Sequence, residues 1–226
     1  MSHVPQVGPQ YCELMKTALH RVSFLTDDAA ALLPPRVWRA LCDVRLARES
    51  VYRQIEQLSQ ESSEFRGRHC DVMLSQILKA GIASSNAQMG NIQVFDQVSG
   101  RLVIQVHKGF QQPFLDFFGL LKPGEAACGA AFQLRSRVIV DDVTDSDIFR
   151  RQDSLEVLLD SGVRSVQSTP LIGSKGQMLG VFSTHNSIPR WPTDKELLSL
   201  NYFAACAATL IEWYPGTVLK DSAVNY

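Results

Sequence analysis

Cysteine is scarce and poorly placed for cross-linking. The 226 residues hold five (Cys12, Cys42, Cys70, Cys128 and Cys206), an odd number, widely spaced and without a CxxC pair. Neither a disulfide framework nor a structural zinc site is expected from such a pattern. An excess of one charge is missing too. There are 22 basic against 23 acidic residues, and the first 80 positions carry 10 against 9. No arm for a polyanion exists, so nucleic acid is not an expected partner. Apolar runs break off within roughly eight residues, far short of a bilayer span, and MSHVPQVGPQ offers no basic or apolar leader region. A chain in the reducing cytoplasm, away from membranes, is the expectation. What is present is an ordinary globular balance, with 45% hydrophobic and 20% charged residues. A chain of this length can bury roughly 70% of its surface, enough for one good-sized core plus an appendage, or for two small domains.

Periodicity divides the chain. Leu14, Ala18, Val22 and Leu25 step by four, four and three, which predicts a helix within 9–33. Pro34 and Pro35 break it and supply a helix start. Val37, Leu41, Val44, Val51, Ile55 and Leu58 then alternate steps of four and three, with Arg48 the polar occupant of the seam. These three heptads fit an intersubunit coil, or an amphipathic helix packed on its own domain, over 36–65. The seam turns polar around Ser59–Gly67, which predicts a break near Gly67. Beyond it, Met73, Leu74, Ile77, Leu78 and Ile82 predict a helix over Cys70–Ser84. GNIQVFD and RLVIQVH predict a hairpin. An aromatic segment (Pro113–Leu121), a small-residue stretch (EAACGAAF), a strand over 138–143 and a short helix at Leu155–Ser161 follow. Strands at Arg164–Ile172 and Met178–His185 flank GSKGQ as a second hairpin. The last element is a helix from Thr193, with Glu196 completing a capping box, and 214–226 reads as a tail. The total is an α+β domain of about 145 residues with five or six mostly antiparallel strands flanked by helices.

This order of elements, with GNIQVFD, ACGAAF before RSRVIVDDV, GVRSVQSTPL and LGVFSTH ahead of an aromatic-to-Glu helix start, resembles a GAF domain, a fold related to PAS. The resemblance spans 68–213, leaving 1–67 as an N-terminal helical extension and 214–226 as a C-terminal tail. It implies a small-molecule or signal-sensing module, commonly dimeric through its terminal helices, with the ligand on one sheet face and those helices on the other.

The residues themselves add a polar row. Ser165, Gln167 and Thr169 share one face of their strand, and Val166, Ser168 and Pro170 the other. Val181, Ser183 and His185 alternate with Phe182 and Thr184, and Gln93 and Gln105 add amides. Inside a covered sheet such groups must pair with each other, with backbone or with a bound molecule, because an unpaired buried amide costs about 1–3 kcal/mol. A self-paired network and a ligand site both satisfy that demand. Candidate ligand-binding residues are Gln93, Phe114, Phe118, Cys128, Asp142, Arg164, Gln167, Thr169, Ser183 and His185. Phe114, Phe117 and Phe118 also fit plain core at helical spacing. Asp142 fits a cap or a partner for Arg135 or Arg137, and His185 a structural donor, since no metal-ligand spacing surrounds it.

Sharper chemistries meet specific obstacles. Cys128 resembles one cysteine of free methionine-(R)-sulfoxide reductase, a GAF protein. That chemistry needs a resolving thiol, and 144–168 contains none. A covalent bilin is not expected, because the adjacent His69 and Cys70 fall in the first domain helix. The cyclic-nucleotide pattern of the family survives only in part in NSIPRWPTDKE, with Ser187 and Lys195 where its ion pair is expected. No spacing supports haem or non-haem iron, and the cofactor is left unknown. A non-catalytic sensor for a small cytosolic ligand is the expectation, acting as a homodimer through its terminal helices on a separate output protein. A dimerisation platform with a filled core is the alternative reading.

Overall fold

The structure, a computed structural model, describes residues 63–150 and 153–213. The helices expected over 9–33 and across most of 36–65, and the tail 214–226, lie outside the described residues. Within them the order is α1 (Ser63–Ser84), β1 (Met89–Asp96), β2 (Arg101–Lys108), α2 (Gln112–Phe118), β3 (Leu120–Leu121), α3 (Ala126–Leu134), β4 (Val138–Val140), α4 (Asp153–Asp160), β5 (Ser165–Ile172), β6 (Met178–Asn186) and α5 (Asp194–Trp213). Six strands form one antiparallel sheet in the order β3-β2-β1-β6-β5-β4. The α+β expectation holds.

Helix α1 differs from the expectation: from Ser63, the first described residue, it runs through Gly67 without a break. A single glycine costs only about 1 kcal/mol in a helix, which the packing of the following turns outweighs. At its other end the hydroxyls of Ser84 and Ser85 donate to the Gly81 carbonyl (3.0 and 2.8 Å), and Asn86 turns left-handed at φ 51°. Those two features stop the helix. The strand expected over 138–143 ends at Val140, and a 3-10 turn takes over at Val143–Asp145. Asp142 caps that turn, accepting from the Thr144 N–H (2.9 Å) and hydroxyl (2.7 Å).

The first hairpin turns on Asp96, whose carboxylate accepts from the N–H groups of Val98 and Ser99 (3.0 and 3.1 Å), with Gly100 at φ 67°. Helix α5 starts as expected. The Thr193 N–H donates to Glu196 (2.8 Å), and the Glu196 N–H donates back to the Thr193 hydroxyl (3.4 Å). Glu196 also accepts from Asn86 (2.8 Å) and Arg190 (2.5 Å), which ties the C-terminus of α1 to the start of α5. Burial alone would raise the Glu196 carboxyl, but these hydrogen bonds and the Arg190 charge hold it below its ordinary value.

Two cores sandwich the sheet. On one face α1 and α5 bury Leu74, Ile77, Leu78, Leu200, Phe203 and Ala207 against Ile92, Val94 and Phe182. On the other, α2, α3 and α4 bury Phe114, Phe118, Ala131 and Leu158 against Leu102, Val166 and Val181. Each fully buried large apolar side chain contributes about 1.5–3 kcal/mol. Gly81 lets α1 approach the sheet closely, since a Cβ there would lie 2.5 Å from the Phe182 ring.

Candidate functional site

Strand register decides which polar side chains share a face. Ser168 lies opposite Ser183, Val166 opposite His185 and Gln167 opposite Thr184, while Asn91 lies opposite Ser183. Asn91, Ser168, Ser183 and His185 therefore look toward α2 and α3, and they line a small cavity there with Phe114, Phe118 and Cys128. Gln93, two residues beyond Asn91, shares that face and donates through Nε2 to the Phe118 carbonyl (3.0 Å). The last turn of α2 is thereby tethered to the sheet.

Gln167 and Thr169 do not join this group. They lie on the opposite face, in a self-paired chain under α5: the Thr169 hydroxyl donates to Gln167 Oε1 (2.8 Å), and Gln167 Nε2 donates to the Thr184 hydroxyl (3.4 Å). Arg137 donates to Thr169 (3.0 Å) and, from its tip, to Asn201 (2.6 Å) and the Leu197 carbonyl (3.1 Å) of α5. The polar row is thus two rows, one per face, because residues an odd number of steps apart point to opposite sides of a strand.

Asp142 and Arg164 sit away from the cavity lining. Arg164 donates to the Asp142 carboxylate (3.0 Å) where the chain leaves β4 and enters β5. The partners expected for Asp142 are engaged elsewhere, Arg135 on the Gly176 carbonyl and Arg137 on Thr169 and α5. The hydroxyl and N–H of Thr144 and then Arg164 hold the Asp142 carboxyl below its ordinary value.

The cavity itself is small, about 20 Å³, enough for one water-sized occupant. Aromatic rings close it. Phe110 and Phe114 stack with centroids 3.6 Å apart, Phe114 meets Phe118 at 4.6 Å, and the imidazole of His185 stands edge-on to Phe110 (5.0 Å) and Phe114 (5.9 Å). Burial pushes His185 down to about 3, so the ring is neutral. Its Nδ1, Asn91 Oδ1 and Gln93 Oε1 are buried and have no hydrogen-bond partner among the described residues. Such groups cost about 1–3 kcal/mol each unless something pairs with them.

Sequence reasoning missed Asn91, although its position two residues before Gln93 in GNIQVFD placed it on the same strand face. It also missed Ser168, whose partner Ser183 sits 2.8 Å away, oxygen to oxygen. A wider groove of about 330 Å³ opens between β4, β5 and α5. Its two arginines, Arg135 and Arg137, already hold protein carbonyls and hydroxyls.

Among the described residues, Cys128 is the only cysteine lining the cavity. Burial pushes its thiol up to about 12, against opposing backbone N–H groups of Gly129 and its own residue. Cys70 and Cys206 pack on the far side of the sheet. The nucleophile in thiol chemistry is the thiolate, so Cys128 is inert at neutral pH. Peptide mapping after iodoacetamide treatment at pH 8 should show its labelling in native protein roughly a thousandfold slower than in urea.

Comparisons with known proteins follow this geometry. The family model described as GAF domain matches residues 13–211. Among solved structures, the chain resembles the GAF domain of a phosphoenolpyruvate-protein phosphotransferase from Coxiella burnetii, at 15% identity and TM-score 0.56, covering 79% of this chain and 95% of that one. It resembles free methionine-R-sulfoxide reductase from Neisseria meningitidis, solved with its substrate, at 19% identity and TM-score 0.53, over 76% and 91% of the two chains. A GAF domain/HD domain protein from Geobacter sulfurreducens is similar at 17% identity and TM-score 0.53, over 63% and 92%. A search of curated proteins returned no match. At these identities the likeness is one of fold.

Proposed function

The chain belongs to the GAF domain family, whose members are typically sensory or regulatory modules of signalling proteins, and on that premise we propose that it is a non-catalytic sensor whose ligand enters between the sheet and α2. The observation that carries this reading is the set of unpartnered polar atoms, Asn91 Oδ1, Gln93 Oε1 and His185 Nδ1, buried on the sheet face that α2 covers. Helix α2 is seven residues long and is held to the sheet by Gln93 through its last carbonyl. A ligand that takes the place of Phe114 and Phe118 would release that tether.

Output runs through β6. Ser183 and His185 line the cavity, while Phe182, next to Ser183 in the strand, packs on Gly81 of α1 across the sheet. A shift of β6 toward a ligand draws Phe182 away from α1 and loosens that close contact. The terminal helices, with a second copy of the chain, would carry this movement to an output protein. No helix among the described residues is long and apolar enough to cross a membrane, and the signal is proposed to arise in the cytoplasm.

Catalysis of the sulfoxide-reductase type finds no second thiol beside Cys128 among the described residues, and the thiol present is neutral. Native mass spectrometry of the purified protein, with thermal-shift screening of metabolites, tests the sensor reading. A co-purifying or stabilising small molecule, together with altered hydrogen exchange in both α2 and α1, is expected. A native mass equal to that of the polypeptide, with no stabilising metabolite, returns the dimerisation-platform reading.

A further inference from the structure

We infer that the occupant of this cavity is an uncharged, flat molecule of one or two rings carrying an amide-type edge, a lactam or nucleobase in chemical class. The inference rests on the sensor reading above. Its first support is that, among the described residues, the lining holds no ionised side chain: the titratable groups there are His185 and Cys128, the one neutral because burial disfavours its imidazolium, the other because burial disfavours its thiolate. A charged ligand would surrender its hydration without gaining a counter-ion, and an isolated buried charge is far costlier than a buried polar group.

Hydrogen-bonding capacity supplies the edge. On the sheet side, Asn91 and His185 are 3% and 5% exposed and each presents an unpartnered atom toward the cavity. Gln93 is oriented by its bond to Phe118, which leaves Oε1 as a pure acceptor on the same face. On the opposite wall stands the first turn of α3, with Ala126, Ala127 and Cys128 in the lining. The first N–H groups of a helix have no intrahelical acceptor and carry partial positive charge. A ligand that donates to the sheet side and accepts from α3 therefore needs an N–H and a C=O close together. Such an edge is that of an amide, lactam or urea.

Shape comes from the rings. Phe114 and Phe118 line the cavity, Phe110 stacks on Phe114, and His185 stands perpendicular to both Phe110 and Phe114. With only about 20 Å³ free, a ligand enters by displacing a phenyl ring, so a planar group near that size fits the slot left behind.

Uracil and hypoxanthine are the probes, set against uridine monophosphate and free methionine as charged counterparts, in thermal shift and isothermal titration with the full chain. The uncharged pair is expected to raise Tm by about 3 °C or more at saturating concentration, and the charged pair to leave it unchanged. Phe114→Ala should tighten binding of the uncharged probes by opening the slot, and Asn91→Leu should weaken it about tenfold. Asn91→Ser serves if the leucine variant does not fold. Binding of the charged probes instead would overturn the ligand class while leaving the sensor reading intact. Failure of all four probes against both the native chain and Phe114→Ala would overturn the class, and a polypeptide-only native mass in the same preparation would take the sensor reading with it.

Discussion

Replacing Gly180 by alanine is expected to cost at least about 3 kcal/mol of stability, near the upper end for a single methyl group. Gly180 sits in β6 where the central strands β1 and β6 pair, opposite Val94, and it pairs with Leu171 of β5 on its other side. A Cβ there would lie 2.0 Å from the Gln93 carbonyl oxygen and 3.1 Å from the Val94 Cα. Both are backbone atoms of a strand bonded on both sides, so neither can swing away. Relief requires β1 and β6 to part, and Gln93 is the residue that tethers α2 through the Phe118 carbonyl. The variant should therefore show a lower urea midpoint together with faster hydrogen exchange in α2. Gly173→Ala is the matched control. Its Cβ would meet the ends of two side chains, the Gln177 amide at 2.3 Å and the Glu212 carboxylate at 2.8 Å, which can give way at the cost of the hydrogen bond between them, so a smaller loss is expected. Equal losses in the two variants would refute the account of the β1–β6 approach.

The contrast between those glycines shows where sequence reasoning stops. The capping box of Thr193 and Glu196 was legible because its partners stand three residues apart, and the two hairpins because glycine and aspartate mark their turns. The α+β architecture follows from such local signals in order. What remained hidden depends on pairing between distant strands. In GVRSVQSTPL the alternation is plain, yet nothing local says whether Gln167 or Ser168 shares a face with Ser183. One step of register exchanges them, and the structure pairs Ser168 with Ser183 and turns Gln167 and Thr169 under α5. Asp142 was legible as a cap, but its ionic partner is Arg164, 22 positions onward, and not the nearer Arg135 or Arg137. Of the ten candidate residues, those brought together on the α2 side are the ones on β1, β6, α2 and α3. For Phe114 and Phe118 core and site prove to be one thing, since the same rings fill the core and close the cavity.

Acidification should destabilise the protein well before its carboxylates titrate, and His185 is the reason. Burial lowers its folded-state value to about 3 from 6.5, so between these limits the unfolded chain binds a proton that the native state refuses. Stability rises with pH where the unfolded state holds more protons. The contribution of His185 is therefore complete above pH 6.5 and is lost as pH falls toward 3, at about 1.4 kcal/mol for each pH unit. Between pH 6.5 and 4.5 the expected loss is about 2–3 kcal/mol by the same linkage. Glu196, Asp142 and Asp96 have lowered values and lose their contributions at lower pH, below their ordinary values of 4.5, 3.8 and 3.8. The histidine window thus stands apart from theirs. Urea titrations at pH 7.0, 5.5 and 4.5 should give a steep fall for the wild type and a nearly flat response for His185→Gln, whatever that variant's stability at pH 7.0. The exposed His107, lowered in the same direction by partial burial, serves as control, and His107→Gln should keep most of the wild-type slope. An undiminished slope in His185→Gln would mean that the imidazole accepts its proton in the folded state. A bound donor on Nδ1 would deepen the effect, because it stabilises the neutral ring and makes protonation costlier still, so ligand affinity should fall over the same pH range in which the apo protein loses stability.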